Sequence, residues 1–404
     1  MTHQCRVCGG RDLRPVIDLG MQPIAHRFLE PGASGDEFRH RLALHACAAC
    51  GLAQIVDPIP PAVLYGDYNY CFSAWKPQPH TGDEIATILD NLGDPRARAV
   101  FEVACNDGTF LNTLRDSGFG AVVGLEPNPV ASEIARSKGF TVYGRMIDEA
   151  VCREAVRRHG RFDLVVARQV VEHLCDLPAF FRCVDILLKD DGRLFVDVPD
   201  FDVALATADC SAVWEEHVNY FTEPVLSHAF TRFGYRPLLL KRYDFSGGAL
   251  AILAERAAAV AETPKLADDV WARILTFDRR VRSYAELLRS TLERHRARGA
   301  RIVLYGVGCR ACTVVNGLEL GPLIDFAIDD QPERQGKRMA GSRLEIRAPR
   351  MVGERVTPVL CLLAVNAENE DAVKARLKPL APGPLTFASL LSPNDVRAEI
   401  ERIR

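Results

Sequence analysis

Cys5-x-x-Cys8 and Cys47-x-x-Cys50 set four thiols in two short knuckles near the amino terminus, each followed by glycine at position 9 or 51. Four thiolates close a tetrahedral zinc site, and the glycine lets the chain turn so that backbone N–H groups face the sulfurs. A complete set of four leaves no open position for substrate or water. The metal is therefore expected to hold a small domain together, with His3 and His45 as bystanders. A second constellation lies in "SAVWEEHVNYF", residues 211–221, where Glu215 and Glu216 stand against His217. Its neighbours Trp214, Tyr220 and Phe221 mark a half-buried segment rather than a solvated loop.

The elements that must position these groups alternate. A helix over 83–92 leads into "RAVFEVACNDGTFLNTLRDSG", where an apolar strand ends at Glu102–Cys105, a tight Asn106-Asp107-Gly108 turn follows and a helix opens at Thr109. Strand "AVVGLEP" ends near Glu126. Helices over 129–138, 147–158 and 176–188 then alternate with strands "FTVYG", "FDLVVARQ" and "GRLFVDVPD". Regular βα alternation predicts a parallel, doubly wound α/β sheet. The first turn lacks a phosphate-binding lysine and the full dinucleotide spacing. An acid at the end of the next strand nevertheless suits both ribose hydroxyls of an adenosine, and the glycine lets a ligand approach the backbone.

"GYRPLLLKRYDF" and "GGALAILAER" read as two strands joined by a short turn, which suits the antiparallel closing hairpin of a class I S-adenosylmethionine methyltransferase. On that reading Glu102, Asn106, Asp107 and Gly108 lie near the amino-acid moiety of the cofactor and Glu126 at its ribose. Asn128 helps on the adenine side, and Arg168 and Gln169, ending the fourth strand, line the floor beneath the sulfonium.

Residues 258–298 carry apolar positions at helical spacing and read as one long helix or a helical pair. "ARIVLYGVGCRACTVVNGL" then gives a strand, Gly306-x-Gly308-x-x-Ala311 and a helix, and the next strand ends on Asp329 and Asp330. By pattern this is a Rossmann fingerprint, so a nicotinamide-dependent oxidoreductase is a competing reading. Only about 100 residues remain for it and no second catalytic domain follows, so a Rossmann-like half-domain that binds no dinucleotide fits equally. The basic loop "RQGKR" beside the acid suits a phosphate.

The totals narrow the field. A chain of 404 residues with 48% hydrophobic and 25% charged residues is folded and built of two or three domains. A net charge of −3, with arginines scattered along the chain, offers no electrostatic footprint for nucleic acid. The start "MTHQCRVCGG" has no signal region and no apolar run is long enough to span a bilayer, so a cytoplasmic protein is expected, without nucleic-acid or membrane partners.

A four-cysteine module, a class I methyltransferase core and a Rossmann-like tail, in that order, together resemble the nucleotide-sugar C-methyltransferases, such as the 3-C-methyltransferases of deoxysugar pathways. The resemblance covers essentially the whole chain and rests on the four cysteines, "FEVACNDGTFL", "GLEPN", "EHVNYF", "GGALAI", "LYGVGCRACTVVNGL" and "IDDQPERQGKRMAGSRLEI". It implies S-adenosyl-L-methionine and one structural zinc as cofactors, and methylation of a carbon beside the keto group of a nucleotide-linked sugar. It implies His217 as the base, with Glu216 orienting its ring; a carboxylate there also stabilises the imidazolium that forms. His173 falls where the family has a functional histidine, and Tyr70 in the region that contributes an active-site tyrosine. The chain departs from the pattern at Trp214, where the family usually has a tyrosine; an indole has no hydroxyl to hold an enolate. That departure favours an alternative, methyl transfer to oxygen or nitrogen of a sugar or small metabolite.

The expected organisation is a zinc-binding domain over 1–75, a methyltransferase domain over 76–257, a helical connector over 258–298 and a Rossmann-like domain over 299–404. The partner is a nucleotide sugar or another small molecule, and the chain is expected to be a monomer or homodimer.

Overall fold

The structure, a computed structural model, describes residues 3–33, 35–65, 78–259, 268–391 and 393–404. Three sheets organise them. The first contains β1 (Leu13–Pro23), β2 (Arg39–Cys47) and β3 (Ala53–Ile55), paired antiparallel in that order. Its inward positions, among them Val16, Ile17, Leu42, Leu44, Ala46 and Ile55, are buried.

The second sheet is built from β4 (Ala99–Val103), β5 (Ala121–Leu125), β6 (Thr141–Tyr143), β7 (Phe162–Arg168) and β8 (Leu188–Pro199), closed by a hairpin described below. β4 to β8 are parallel, with helices Thr109–Asp116, Pro129–Ser137, Glu149–His159 and Leu177–Leu187 between them. β4, β7 and the second half of β8 are largely apolar and buried because helices cover both faces of the sheet. A two-residue strand, β9 (Asn219–Tyr220), leaves this fold and pairs antiparallel with β3, Ala53 opposite Tyr220 and Gln54 opposite Asn219. β10 (Tyr235–Tyr243) and β11 (Ala249–Arg256) then form the expected antiparallel hairpin, and β11 runs antiparallel to β8. The order is β10-β11-β8-β7-β4-β5-β6. That is the class I methyltransferase sheet, whose strand order reverses between β4 and β7.

One helix, Asp268–Ala297, follows. Its buried Val270, Ile274, Phe277, Val281, Tyr284, Leu288 and Leu292 recur every three or four residues and form one apolar stripe. The stripe joins a single core with the inner face of the first sheet and with the third sheet. The third sheet is parallel, with β12 (Arg301–Tyr305), β13 (Phe326–Ile328), β14 (Ile346–Arg347), β15 (Val359–Leu363) and β16 (Leu385–Ser389) in the order β14-β13-β12-β15-β16. The Gly306 turn after β12 is explained by packing. Gly306 has φ +90°, and a Cβ there would meet the Ala364 carbonyl oxygen at 2.7 Å. Asp329 accepts the backbone N–H groups of Val307 and Gln331. No helix among the described residues is long and apolar enough to cross a membrane.

Arg310, in the helix after that turn, crosses to the second sheet's loops. It donates to Ser211 Oγ at 3.0 Å, to the Ser246 carbonyl at 3.0 Å and to Asp209 Oδ2 at 2.7 Å. Its side chain is 10% exposed and that of Asp209 1%. Removing one partner of a buried ion pair costs about 3–5 kcal/mol because the other is left charged in a dry site. Arg310→Leu should therefore lower unfolding stability by roughly that amount in urea titration. A loss under about 1 kcal/mol, the size of a surface pair, would contradict the assignment of a buried lock.

Candidate active site

The four cysteines converge at the lip of β2. Sγ of Cys5 lies 3.4 Å from that of Cys50, and Cys8 3.5 Å from Cys47, and all four sulfurs fall within 4.8 Å of one another. Thiolates bound to zinc at about 2.3 Å in a tetrahedron stand roughly 3.8 Å apart, so this set fits the metal. The Gly10 N–H donates to Cys8 Sγ at 3.4 Å, the second-layer contact that a thiolate ligand takes. Hydrogen bonds from Cys5, Cys50 and Cys8 hold Cys47 below the usual thiol range, and its nearness drives Cys5 and Cys50 up. Four thiols this close ionise together only around a cation.

The second group lies at the carboxyl ends of β4, β5 and β7, at the point where strand order reverses. Ligands of open α/β sheets bind at such a point. Ala104, Asn106 and Gln169 sit there with φ of 54°, 48° and 54°, in the left-handed region that costs a non-glycine residue about 1–3 kcal/mol. Gly108 follows at φ +76°, where a Cβ would press on that of Ala135 at 3.0 Å. Glu126 accepts the Asn106 N–H at 2.9 Å and the Asn128 N–H at 2.7 Å, so the second acid clamps the first turn. Asp107 is fully buried and accepts the Thr109 N–H at 3.1 Å and the Thr109 hydroxyl at 2.6 Å, tightening the turn into the next helix. Asn128 Oδ1 caps helix Pro129–Ser137 through the N–H groups of Val130 and Ala131, a structural task beside the adenine-side contact expected of it.

Glu102 is buried, and its Oε2 has no hydrogen-bond partner among the described residues. Burial pushes its carboxyl up to about 8, with the Arg168 cation opposing that rise. Arg168 pairs with Glu84 at 2.9 Å, bonds Gln78 and lies 4.1 Å over the Phe110 ring. Its guanidinium is thus engaged inside the protein, and Gln169, bonded to Asp197 at 3.1 Å, is the member of the pair at the strained strand end.

The third group joins the short turn beyond Gln169 to the segment before β9. His173 and His217 meet as a T-shaped pair with ring centroids 4.7 Å apart, and Trp214 lies 3.7 Å from the His217 ring. Three separate anchors split the charged triplet. Glu215 accepts the Ala25 N–H at 2.6 Å, Glu216 Oε1 lies 3.1 Å from His26 Nδ1 and 3.9 Å from Cys309 Sγ, and His217 turns toward His173. The carboxylate expected to orient His217 therefore reaches His26, on the chain after β1. Burial pushes His217 well below the usual imidazole range, with the charges of His173 and Arg310 acting the same way.

Sequence reasoning did not single out Tyr65 or Glu172. The Tyr65 hydroxyl lies 3.1 Å from His173 Nδ1, and burial pushes its pKa up, so it stays a proton donor. Glu172, 1% exposed, has its nearer oxygen 3.9 Å from His173 Nε2 and 4.0 Å from His217 Nε2. A signal for it existed, since Glu172-His173 repeats the Glu216-His217 dipeptide. Tyr70, expected here, lies outside the described residues.

Three family models match in succession: a zinc binding domain over residues 5–65, a methyltransferase domain over 78–240 and a C-methyltransferase C-terminal domain over 245–379. The C-methyltransferase NovU of Streptomyces niveus is 29% identical over 381 residues, which cover 90% of each chain. A ubiquinone biosynthesis O-methyltransferase of Methylobacterium nodulans is 32% identical over 27% of this chain and 47% of its own length. Among solved structures, the Burkholderia thailandensis 1,6-didemethyltoxoflavin-N1-methyltransferase overlaps 52% of this chain and 96% of its own at 17% identity and a TM-score of 0.38. The ordered match of all three domain models, with one relative similar across 90% of the chain, shows an S-adenosylmethionine-dependent methyltransferase with a zinc-binding amino-terminal domain and a carboxy-terminal domain like that of the C-methyltransferases.

Proposed function

We propose that the enzyme methylates a carbon beside the keto group of a nucleotide-linked sugar, with His217 as the base. The observation that carries this reading is the ring contact between buried His217 and half-buried His173, the latter on the short turn that follows Gln169. Through that contact His173, close to Gln169 in the chain, brings the proposed base toward the cofactor end of the sheet, the proximity that transfer between two bound reactants needs.

S-adenosylmethionine supplies an electrophilic methyl group and leaves as a neutral thioether. Glu102 is assigned to the amino-acid end, where a buried carboxyl with an open oxygen accepts an ammonium, and Glu126 to the ribose hydroxyls. Asn106, Asp107 and Gly108 shape the turn that a ligand approaches, and Gln169 lines the floor. A hydrogen next to a ketone leaves as a proton only when a base takes it and the developing enolate oxygen is held. The depressed pKa of His217 suits the first task. Trp214 has no hydroxyl for the second, and the Tyr65–His173 pair takes that place. Anionic substrates are favoured by the tail's basic loop, which joins the segment just after His26: Leu29 and Arg338 exchange backbone hydrogen bonds, and the Arg334 guanidinium lies 5.2 Å over the Phe28 ring.

With 13C-methyl S-adenosylmethionine and nucleotide-linked 4-ketohexoses, the label should appear on a ring carbon by NMR. In deuterated water, wild type should also exchange the hydrogen beside the ketone. His217→Asn should lose about 10²–10⁴-fold in both. Label on oxygen or nitrogen, or exchange at the wild-type rate in the variant, would overturn the reading.

Glu102 makes a separate prediction. Unfolded carboxyls ionise near 4.3, whereas folded Glu102 holds its proton up to about 8. Between those values only the folded chain carries the proton, so cofactor-free stability falls as pH rises through that window. Glu102→Gln should flatten that fall in thermal unfolding while weakening S-adenosylmethionine binding in calorimetry. An unchanged slope would contradict a buried proton at Glu102.

A further inference from the structure

A base that takes a proton must hold the charge it acquires, and the two acids beside His217 in sequence are turned away from it. The His217 N–H donates to the Trp214 carbonyl at 3.2 Å, so residues 214–217 close a tight turn with Glu215 and Glu216 at its corners. The corners send the acids outward, to the Ala25 N–H and to His26. The ends of the turn bring Trp214 and His217 together, with ring centroids 3.7 Å apart and planes inclined by 37°. Tyr220 fixes that shape. Its hydroxyl accepts the Trp214 N–H and donates to the Trp214 carbonyl, each at 3.2 Å.

The other groups facing the His217 ring are poor hosts for a positive charge. Glu172 lies 4.0 Å away, too far for a hydrogen bond, and burial pushes its carboxyl well above the usual range, toward the uncharged form. The His173 ring stands at 87° to that of His217, and the Arg310 guanidinium acts on it as a like charge. The Tyr220 ring is 6.4 Å off, its hydroxyl committed to Trp214. The indole differs from all of these. Its face carries negative charge density that attracts a cation within about 6 Å of the ring centroid, most strongly in a dry site, and His217 is buried.

We propose that Trp214 is a positioning residue for the base: its indole holds the His217 ring and stabilises the imidazolium that forms when the substrate's proton arrives. This rests on the enolisation reading above and deepens it. As the C–H bond breaks, its electron pair moves into the ketone and the proton goes to the His217 ring. The indole forms no bond and exchanges no proton. Tryptophan at 214, where the family usually has tyrosine, thus serves the base, and the enolate oxygen is left to the Tyr65–His173 pair.

The test places tryptophans carrying one to four ring fluorines at position 214 of the full-length, zinc-loaded enzyme. Fluorine drains the indole face and nearly preserves its shape. The His217 titration, followed by 15N NMR of histidine-labelled protein without substrate and assigned against His217→Asn, should move to lower pH with each fluorine, by roughly 0.5–1.5 pH units for the full set. Solvent deuterium exchange at the carbon beside the ketone of a nucleotide-linked 4-ketohexose should fall in step, roughly 2–30-fold overall. That loss should lie in kcat, with KM and S-adenosylmethionine affinity unchanged. Trp214→Leu, which keeps an apolar cover, should lose as much exchange as the fully fluorinated ring. Exchange that runs at one rate whatever the fluorine content, a titration that does not move, or a loss confined to KM would overturn the proposal. Failure of the sugar reading is distinguishable: no nucleotide sugar would exchange or be methylated, while the His217 titration still followed the fluorine content.

Discussion

Two residues of antiparallel pairing, β9 against β3, fix everything at the candidate site. Asn219-Tyr220 belongs by sequence to the methyltransferase core, yet its backbone completes the zinc-bearing sheet. Further bonds reinforce the join: the Ile55 N–H reaches the Val218 carbonyl, Arg6 bonds the carbonyls of Val218 and Ile55, and Asn219 Nδ2 bonds those of Val171 and Leu174. The Val218 N–H in turn reaches the Glu172 carbonyl at 2.8 Å. The loop bearing His173 and the segment bearing His217 are thus bound to one another and to the zinc sheet. The charged triplet can be buried because each member has a different element to meet.

That arrangement also explains the zinc. A three-stranded sheet of this size encloses too little apolar volume to be stable alone. Here one face leans on the long helix and the third sheet, while Cys5, Val7, Cys47, Cys50 and Leu52 pack into the core of the second sheet. A zinc held by these four cysteines would fix the loops at that junction. The strained residues Ala104, Asn106 and Gln169 show the other side of the balance, since their cost is carried by a core that holds the ends of β4 and β7 rigidly.

Much of this was legible in the sequence. Paired Cys-x-x-Cys motifs announce a metal because thiol spacing is local, and βα alternation announces the central sheet because each strand and helix has its own period. The closing hairpin followed from two apolar runs with glycines between them. What escaped was non-local. β9 is two residues long and has no period to detect, and the partner of Glu216 is a histidine on the far side of the chain. The glycine fingerprint of the tail matched a dinucleotide pattern, yet the Ala364 carbonyl accounts for Gly306 and two backbone N–H groups account for Asp329.

The dependence of the base on the zinc sheet is open to one direct measurement: amide hydrogen exchange by mass spectrometry, with the zinc present and after its removal by a chelator, comparing peptides over 211–221 and 99–126. The account predicts that loss of zinc exposes the 211–221 amides together with those of β1 to β3, while the turn after β4 keeps its protection. If the zinc sheet opened and 211–221 stayed as protected as before, β9 would not be what holds His217 in place.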